Sequence, residues 1–136
     1  MAYHLKKSLS KGVYHDLEKI FEELNIKYFD NAINARITWG KFGPSTKRRR
    51  SIKLGSYCSR EKKIVIHPAL DRASVPKLCV ERVLHHEMLH QKFPVTQSRS
   101  GRRCIHHATF KAAEKEFEDG QLADTWFKDN LGQLLT

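Results

Sequence analysis

The sequence predicts one α+β domain: an N-terminal helix, a small three-stranded antiparallel sheet, a helix carrying a His-Glu-x-x-His pattern, and further helices towards the C-terminus. Three observations predict it. Apolar residues recur at helical spacing in the outer parts of the chain, and short runs between them alternate as strands do. A length of 136 residues, 40% hydrophobic and 29% charged, suits a single domain with a core of its own.

Val13, Leu17, Ile20, Phe21, Leu24 and Tyr28 fall at spacings of 4, 3, 1, 3 and 4, which predicts a helix over about 12–29 with one face on the core. Asp30 to Asn34 is a turn. Ala35-Arg36-Ile37-Thr38-Trp39-Gly40 then alternates, with Ile37 and Trp39 on one side, and Gly43-Pro44-Ser45 ends it. Ser51-Ile52-Lys53-Leu54 and Lys63-Ile64-Val65-Ile66-His67 are two further strands, joined through Gly55 to Glu61. Pro76 to Phe93 reads as a helix, with Cys79, Val83, His86 and His90 along one stripe and Val80, Leu84 and Glu87 beside it. Ser74 is its expected N-cap and Phe93-Pro94 its stop. The Ser-, Gly- and Arg-rich stretch from Pro94 to Arg103 is long enough to reverse direction. His106, Phe110, Ala113 and Phe117 then mark another helix, and Leu122, Trp126, Phe127, Leu131, Leu134 and Leu135 a last amphipathic segment, with a break expected at Gly132.

The pattern His86, Glu87, His90 carries the chemistry. Four residues of helix turn through about 400°, so the two histidines lie roughly 40° apart and can meet one ion. Glu87 stands about 100° from His86, off that stripe, where it can reach a water instead of the metal. Three neutral imidazoles on zinc leave the ion its full charge and can bring a bound water towards pKa ~7, so the expected cofactor is Zn2+, with Glu87 activating the water for hydrolysis. Copper, nickel, cobalt and iron also suit imidazoles. The third ligand is expected from the reversing loop. His106 continues the apolar stripe of the next helix, whereas His107 shares a face with Lys111 and Glu114 and is expected to be solvated. His85, on the side of His86 opposite Glu87, is read as a packing residue or one that supports a ligand from behind, and His67 as ambiguous. Tyr57, His67 or an arginine are candidates to stabilise a developing oxyanion. The alternative is an accidental match, since the pattern fixes only three positions in a chain with eight histidines.

Lysine and arginine number 25 against 15 acids, and the excess is uneven. Arg36 to Lys63 holds ten basic residues and one acid, Glu61, while the segments around Asp16–Asp30 and Glu114–Asp129 are net acidic. Lys47, Arg48, Arg49, Arg50, Arg60, Lys62 and Lys63, with Arg99, Arg102 and Arg103, are therefore the candidate nucleic-acid contacts, the alternative being solvated loops. Phe42 is the candidate to stack on a base, whereas Trp39 and Tyr57 are expected in the core. Cys58, Cys79 and Cys104 form no Cys-x-x-Cys pair and are expected to be free thiols. Met1 to Lys7 lacks the apolar run of a signal peptide, and no stretch reaches the roughly 18 apolar residues of a membrane span. An intracellular protein without a membrane partner is expected.

Several motifs together resemble a known family. Leu24-Asn25 followed by Tyr28-Phe29, then Trp39, Leu54-Gly55-Ser56-Tyr57, Ile64-Val65-Ile66-His67-Pro68, Leu70-Asp71, His86-Glu87-Met88-Leu89-His90 and His106-His107-Ala108-Thr109-Phe110 occur in this order. They resemble the SprT-like (Spartan-related) family of zinc metallopeptidases over most of the chain. The resemblance implies a single zincin-like domain over 1–136, with His86, His90 and His106 as ligands and Glu87 as base. It implies an endopeptidase acting on proteins crosslinked to or bound on DNA, with single-stranded or non-specific DNA as partner, and a sheet edge that aligns an extended polypeptide. Two departures stand out: His107, Ala108 and Thr109 replace the small, proline and glutamate residues of many relatives, and the chain is expected to lack the downstream zinc ribbon that many carry. Two other readings remain. One is a nucleic-acid-binding module with a structural or vestigial zinc site, the other a metal-dependent hydrolase of another substrate such as RNA.

Overall fold

The first helix, α1 (Leu17–Phe29), begins later than its apolar stripe. Asp16 caps it, its carboxylate accepting the Lys19 N–H at 3.4 Å. Just upstream, the Asp71 carboxylate accepts the N–H groups of Val13, Tyr14 and His15 at 2.8, 2.8 and 3.1 Å and holds them off a helical path. Val13, expected to open the buried stripe, is consequently 83% exposed, whereas Leu17, Ile20, Phe21 and Leu24 are buried. The computed structural model describes residues 12–41, 52–94, 96, 97, 101, 103, 104, 106 and 108–135, with only the backbone described at 96, 97, 103 and 104.

Asn25 ends α1 in a way that periodicity does not reveal. Its backbone carbonyl accepts from Asp30 and Asn31, both in the left-handed region at φ 51° and 61°. Its buried side chain donates to the Ile33 carbonyl at 2.9 Å and accepts the Ile33 N–H at 3.0 Å, fixing the chain as it turns towards the sheet. Asn25→Ala orphans both groups of Ile33 in the core. It is expected to lower stability by about 1–3 kcal/mol, read as a shift of the urea midpoint at unchanged m.

Among the described residues the sheet has three strands, β1 (Arg36–Trp39), β2 (Gly55–Cys58) and β3 (Lys63–Ile66), in the order β1-β3-β2. It is mixed. β2 and β3 pair antiparallel as a hairpin closed through Ser59 to Lys62, with Gly55 opposite Ile66, but β1 pairs parallel to β3, with Arg36 opposite Lys63. This corrects the antiparallel expectation: alternation identifies a strand, whereas its neighbour and direction follow from where the chain returns. The second strand also lies four residues later than expected, at Gly55 and not Ser51. Ile64 and Ile66 of the central strand are wholly buried.

His67 follows β3 and caps a short 3-10 turn (Pro68–Leu70), its Nδ1 accepting the Ala69 N–H at 2.9 Å. The long helix α2 (Lys77–Lys92) then packs against α1, β2 and β3 on the sheet side and against α3 and α4 beyond. Pro76, not Ser74, is its N-cap, because Ser74 turns its hydroxyl to Gln133, 2.6 Å away. Its stop is as expected, with the Phe93 N–H donating to Leu89. Between α2 and α3 the reversing loop carries a two-residue antiparallel ladder, β4 (Thr96–Gln97) against β5 (Arg103–Cys104), with Gly101 in its turn at φ 83°. Then come α3 (Ala108–Lys115) and α4 (Gly120–Leu134). α4 runs unbroken through Gly132, and Ala123 and Leu134 are its buried side, leaving Leu122 and Leu131 exposed. The result is α+β, with α2 at the centre. Among the described residues no helix is long and apolar enough to cross a membrane.

Candidate metal centre

α2 delivers His86 and His90 one turn apart on one side, as the spacing requires, with ring centroids 5.0 Å apart. The loop return through β5 delivers His106 against them. Its ring lies 5.0 Å from each of the other two, and its Nε2 stands 3.3 Å from His90 Nε2. One nitrogen from each of the three falls within 4.8 Å of the others, a cluster that can hold a metal ion. The reason differs from the sequence argument in one respect. His106 precedes the first turn of α3 and is exposed, so it owes its place to the loop and not to a buried helical stripe. His107 lies outside the described residues.

Phe110, fully buried, forms the common floor, with its ring 5.2 Å from His86, 4.8 Å from His90 and 5.0 Å from His106. One turn further along α3, Glu114 turns inwards and its carboxylate accepts a hydrogen bond at His86 Nδ1. That contact leaves Nε2 of His86 for an ion and supplies the carboxylate behind a ligating imidazole that metal sites favour. Glu114 was expected on a solvated face with Lys111. The usable signal was its i+4 spacing from Phe110, which places both on the inward side of α3.

The electrostatics separate the groups. Burial is the strongest influence on His86 and lowers its pKa, but the Glu114 hydrogen bond and the charges of Glu87 and Glu114 override it, and the net shift is upward. Burial, with the neighbouring imidazoles, pulls His90 down to about 4 and lowers His106 as well. Both are therefore neutral near pH 7, the state in which imidazole binds metal. Burial pushes the Glu87 carboxyl above its ordinary range, with His86 and Lys53 opposing.

Glu87 is 6% exposed and its Oε1 stands 3.9 Å from His90 Nε2. It faces a cleft of about 1000 Å³ whose walls include Gly55, Tyr57, Arg82, His86, His90 and Phe127. Gly55 leans directly on it: a Cβ there would lie 3.0 Å from both Cγ and Oε2 of Glu87 and 2.9 Å from Val83 Cγ1. Gly55→Ala is expected to push Val83 and Glu87 aside and to lower stability by about 1–3 kcal/mol, as overpacking does, with little change in metal affinity. Urea denaturation beside a metal titration checks it.

His85 packs edge-on against Tyr28 at 4.9 Å, with Phe29 and Phe117 at 5.5 and 5.0 Å, as the packing reading expected. It is 1% exposed, and among the described residues its Nδ1 has no partner. Burial first, then Arg82, lowers its pKa from 6.5 to about 4. Between those values the unfolded chain binds the extra proton, so stability is full above pH 6.5 and is lost as pH falls towards 4, by on the order of 3 kcal/mol in the metal-free protein. Denaturation from pH 7.5 to 4.5 should be flatter for His85→Phe than for wild type.

Of the candidate nucleic-acid contacts, Arg60 and Lys62 are exposed and Lys63 half-exposed in and beside the β2–β3 turn, directly after Ser59 on the cleft wall. Lys47, Arg48, Arg49, Arg50, Arg99 and Arg102 lie outside the described residues, as does Phe42, and Arg103 is described in its backbone alone. Tyr57 is half-buried, packed against the core as expected, and also lines the cleft. His67 is committed to its helical turn. Cys58 is an exposed free thiol, whereas burial raises the buried Cys79 thiol to about 11.

No family model, curated protein or solved structure matches this chain.

Proposed function

We propose that the chain is a zinc-dependent endopeptidase of the SprT-like kind, a zincin-like domain acting on proteins held on DNA. The observation that carries it is the cluster of His86, His90 and His106, with Glu114 orienting His86 and Glu87 beside the open cleft. The donor set fits zinc: three imidazole nitrogens converge, two of them on neutral rings that face each other at 3.3 Å. Zinc held there supplies Lewis acidity that polarises a carbonyl and makes a water acidic near neutrality.

The chain's own groups do the rest. Glu87 takes the proton of the attacking water, for which a raised carboxyl pKa is suited. It then returns that proton to the leaving amine. Arg60, Lys62 and Lys63, next to the cleft wall, favour a polyanion running past it, with the sequence-independent, salt-sensitive attraction of phosphate contacts.

The test incubates zinc-loaded protein and a DNA-binding protein with single-stranded DNA, duplex DNA or neither, each with and without chelator. Cleavage that requires zinc and rises with DNA supports the proposal. DNA binding without turnover in every arm favours a binding module, and cleavage of RNA but not of protein favours a different hydrolase.

A further inference from the structure

Once ligands and base are assigned, Tyr57 is a polar group of the cleft without a role, and its orientation is fixed by a network outside the metal centre. Gln91 clamps the backbone of Asn34: its Oε1 accepts the Asn34 N–H at 2.8 Å and its Nε2 donates to the Asn34 carbonyl at 2.9 Å. Both bonds go to one residue, so amide oxygen and nitrogen cannot be exchanged. The second Nε2 hydrogen reaches the Tyr57 hydroxyl at 3.1 Å. The phenolic oxygen is therefore an acceptor from Gln91, and its own hydrogen points elsewhere. Among the described residues that hydrogen has no acceptor, and Tyr57 lines the cleft with His86, Glu87 and His90. Alternation puts Tyr57 on the same face of β2 as Gly55, which packs on Glu87, so the ring stands about 7 Å further along the strand.

We propose that Tyr57 is a catalytic residue that donates a hydrogen bond to the carbonyl oxygen as it becomes an oxyanion, with Gln91 as its positioning residue; this rests on the endopeptidase reading. Water oxygen adds to the amide carbon, the C=O pair moves to oxygen, and Glu87 takes one water proton. Tyr57 keeps its proton and donates to the oxyanion. The pair returns, the C–N bond breaks and the nitrogen takes the proton from Glu87. Arg82 is unsuited to this task, because its guanidinium is held by Asp124 and the Glu114 carbonyl.

The experiment compares zinc-loaded wild type, Tyr57→Phe and Gln91→Glu by kcat and KM on a DNA-bound protein, by zinc affinity, and by calorimetric affinity for methylphosphonate, a tetrahedral oxyanion. In Tyr57→Phe, kcat should fall by about 10²–10³-fold at unchanged KM and zinc affinity, and methylphosphonate should bind about 10- to 100-fold more weakly. A carboxylate at position 91 accepts the phenolic hydrogen and turns it from the cleft, so Gln91→Glu should approach Tyr57→Phe in both readouts, whereas a purely structural role would leave kcat and probe affinity alone. Unchanged kcat in Tyr57→Phe, or methylphosphonate binding that is equal or undetectable in wild type and Tyr57→Phe, overturns the proposal. Weaker probe binding in Tyr57→Phe, with no protein cleaved by wild type, keeps the donor and rejects the endopeptidase reading.

Discussion

On the proposed endopeptidase reading, Glu87→Gln is expected to lower cleavage of a DNA-bound protein by about 10²–10⁴-fold, the usual contribution of a positioned acid–base group, with zinc affinity as in wild type. Glutamine preserves the volume and most of the packing of a side chain only 6% exposed beneath Gly55, so the fold is kept. It cannot take a proton from water. Glu87 is also not among the three groups that converge on the metal position, which is why affinity should be spared. Turnover measured beside zinc stoichiometry checks both halves, and loss of zinc together with activity would make Glu87 a ligand and reject its assignment as base.

Phe110→Ala has the second large effect, and it joins stability to metal binding. The ring is fully buried and lies against all three histidines. Its removal is expected to cost about 3–5 kcal/mol, the range for a large core aromatic. It also frees His106, which is otherwise exposed, to wander from the other two. Zinc affinity should fall by about 10- to 100-fold, as when a ligand's support is lost. Phe110→Leu, which fills most of the space, should recover the larger part of both. Urea denaturation and competitive zinc titration measure the two effects, and a destabilised variant with unchanged zinc affinity would reduce Phe110 to a core residue.

Much of the site was legible because it is local. His86 and His90 need only helical geometry to converge, and the apolar stripe of α2 announces that geometry. The length of the reversing loop brought His106 and His107 within reach, and the choice of His106 rested on a helical stripe that it precedes and does not join. Glu114 and Gln91 were not singled out, since each acts through a partner distant in sequence: 28 residues separate Glu114 from His86 and 57 separate Gln91 from Asn34. Gly55 reads in sequence as a turn residue. Its contact with Glu87 exists because β2 lies along α2, advancing from Val83 and Glu87 at Gly55 to Gln91 at Tyr57.

By itself the sequence determined the element types and the converging pair on α2, because periods of two and of 3.6 residues are properties of neighbours along the chain. The tertiary structure decided the parallel pairing of β1 with β3, the start of α1 at Leu17, the inward turn of Glu114 and the orientation of the Tyr57 hydroxyl. Each of these depends on hydrogen bonds between distant segments, from Asp71 to the residues before α1, from Glu114 to His86 and from Gln91 to Asn34 and Tyr57. Only the folded chain brings those donors and acceptors within reach of one another.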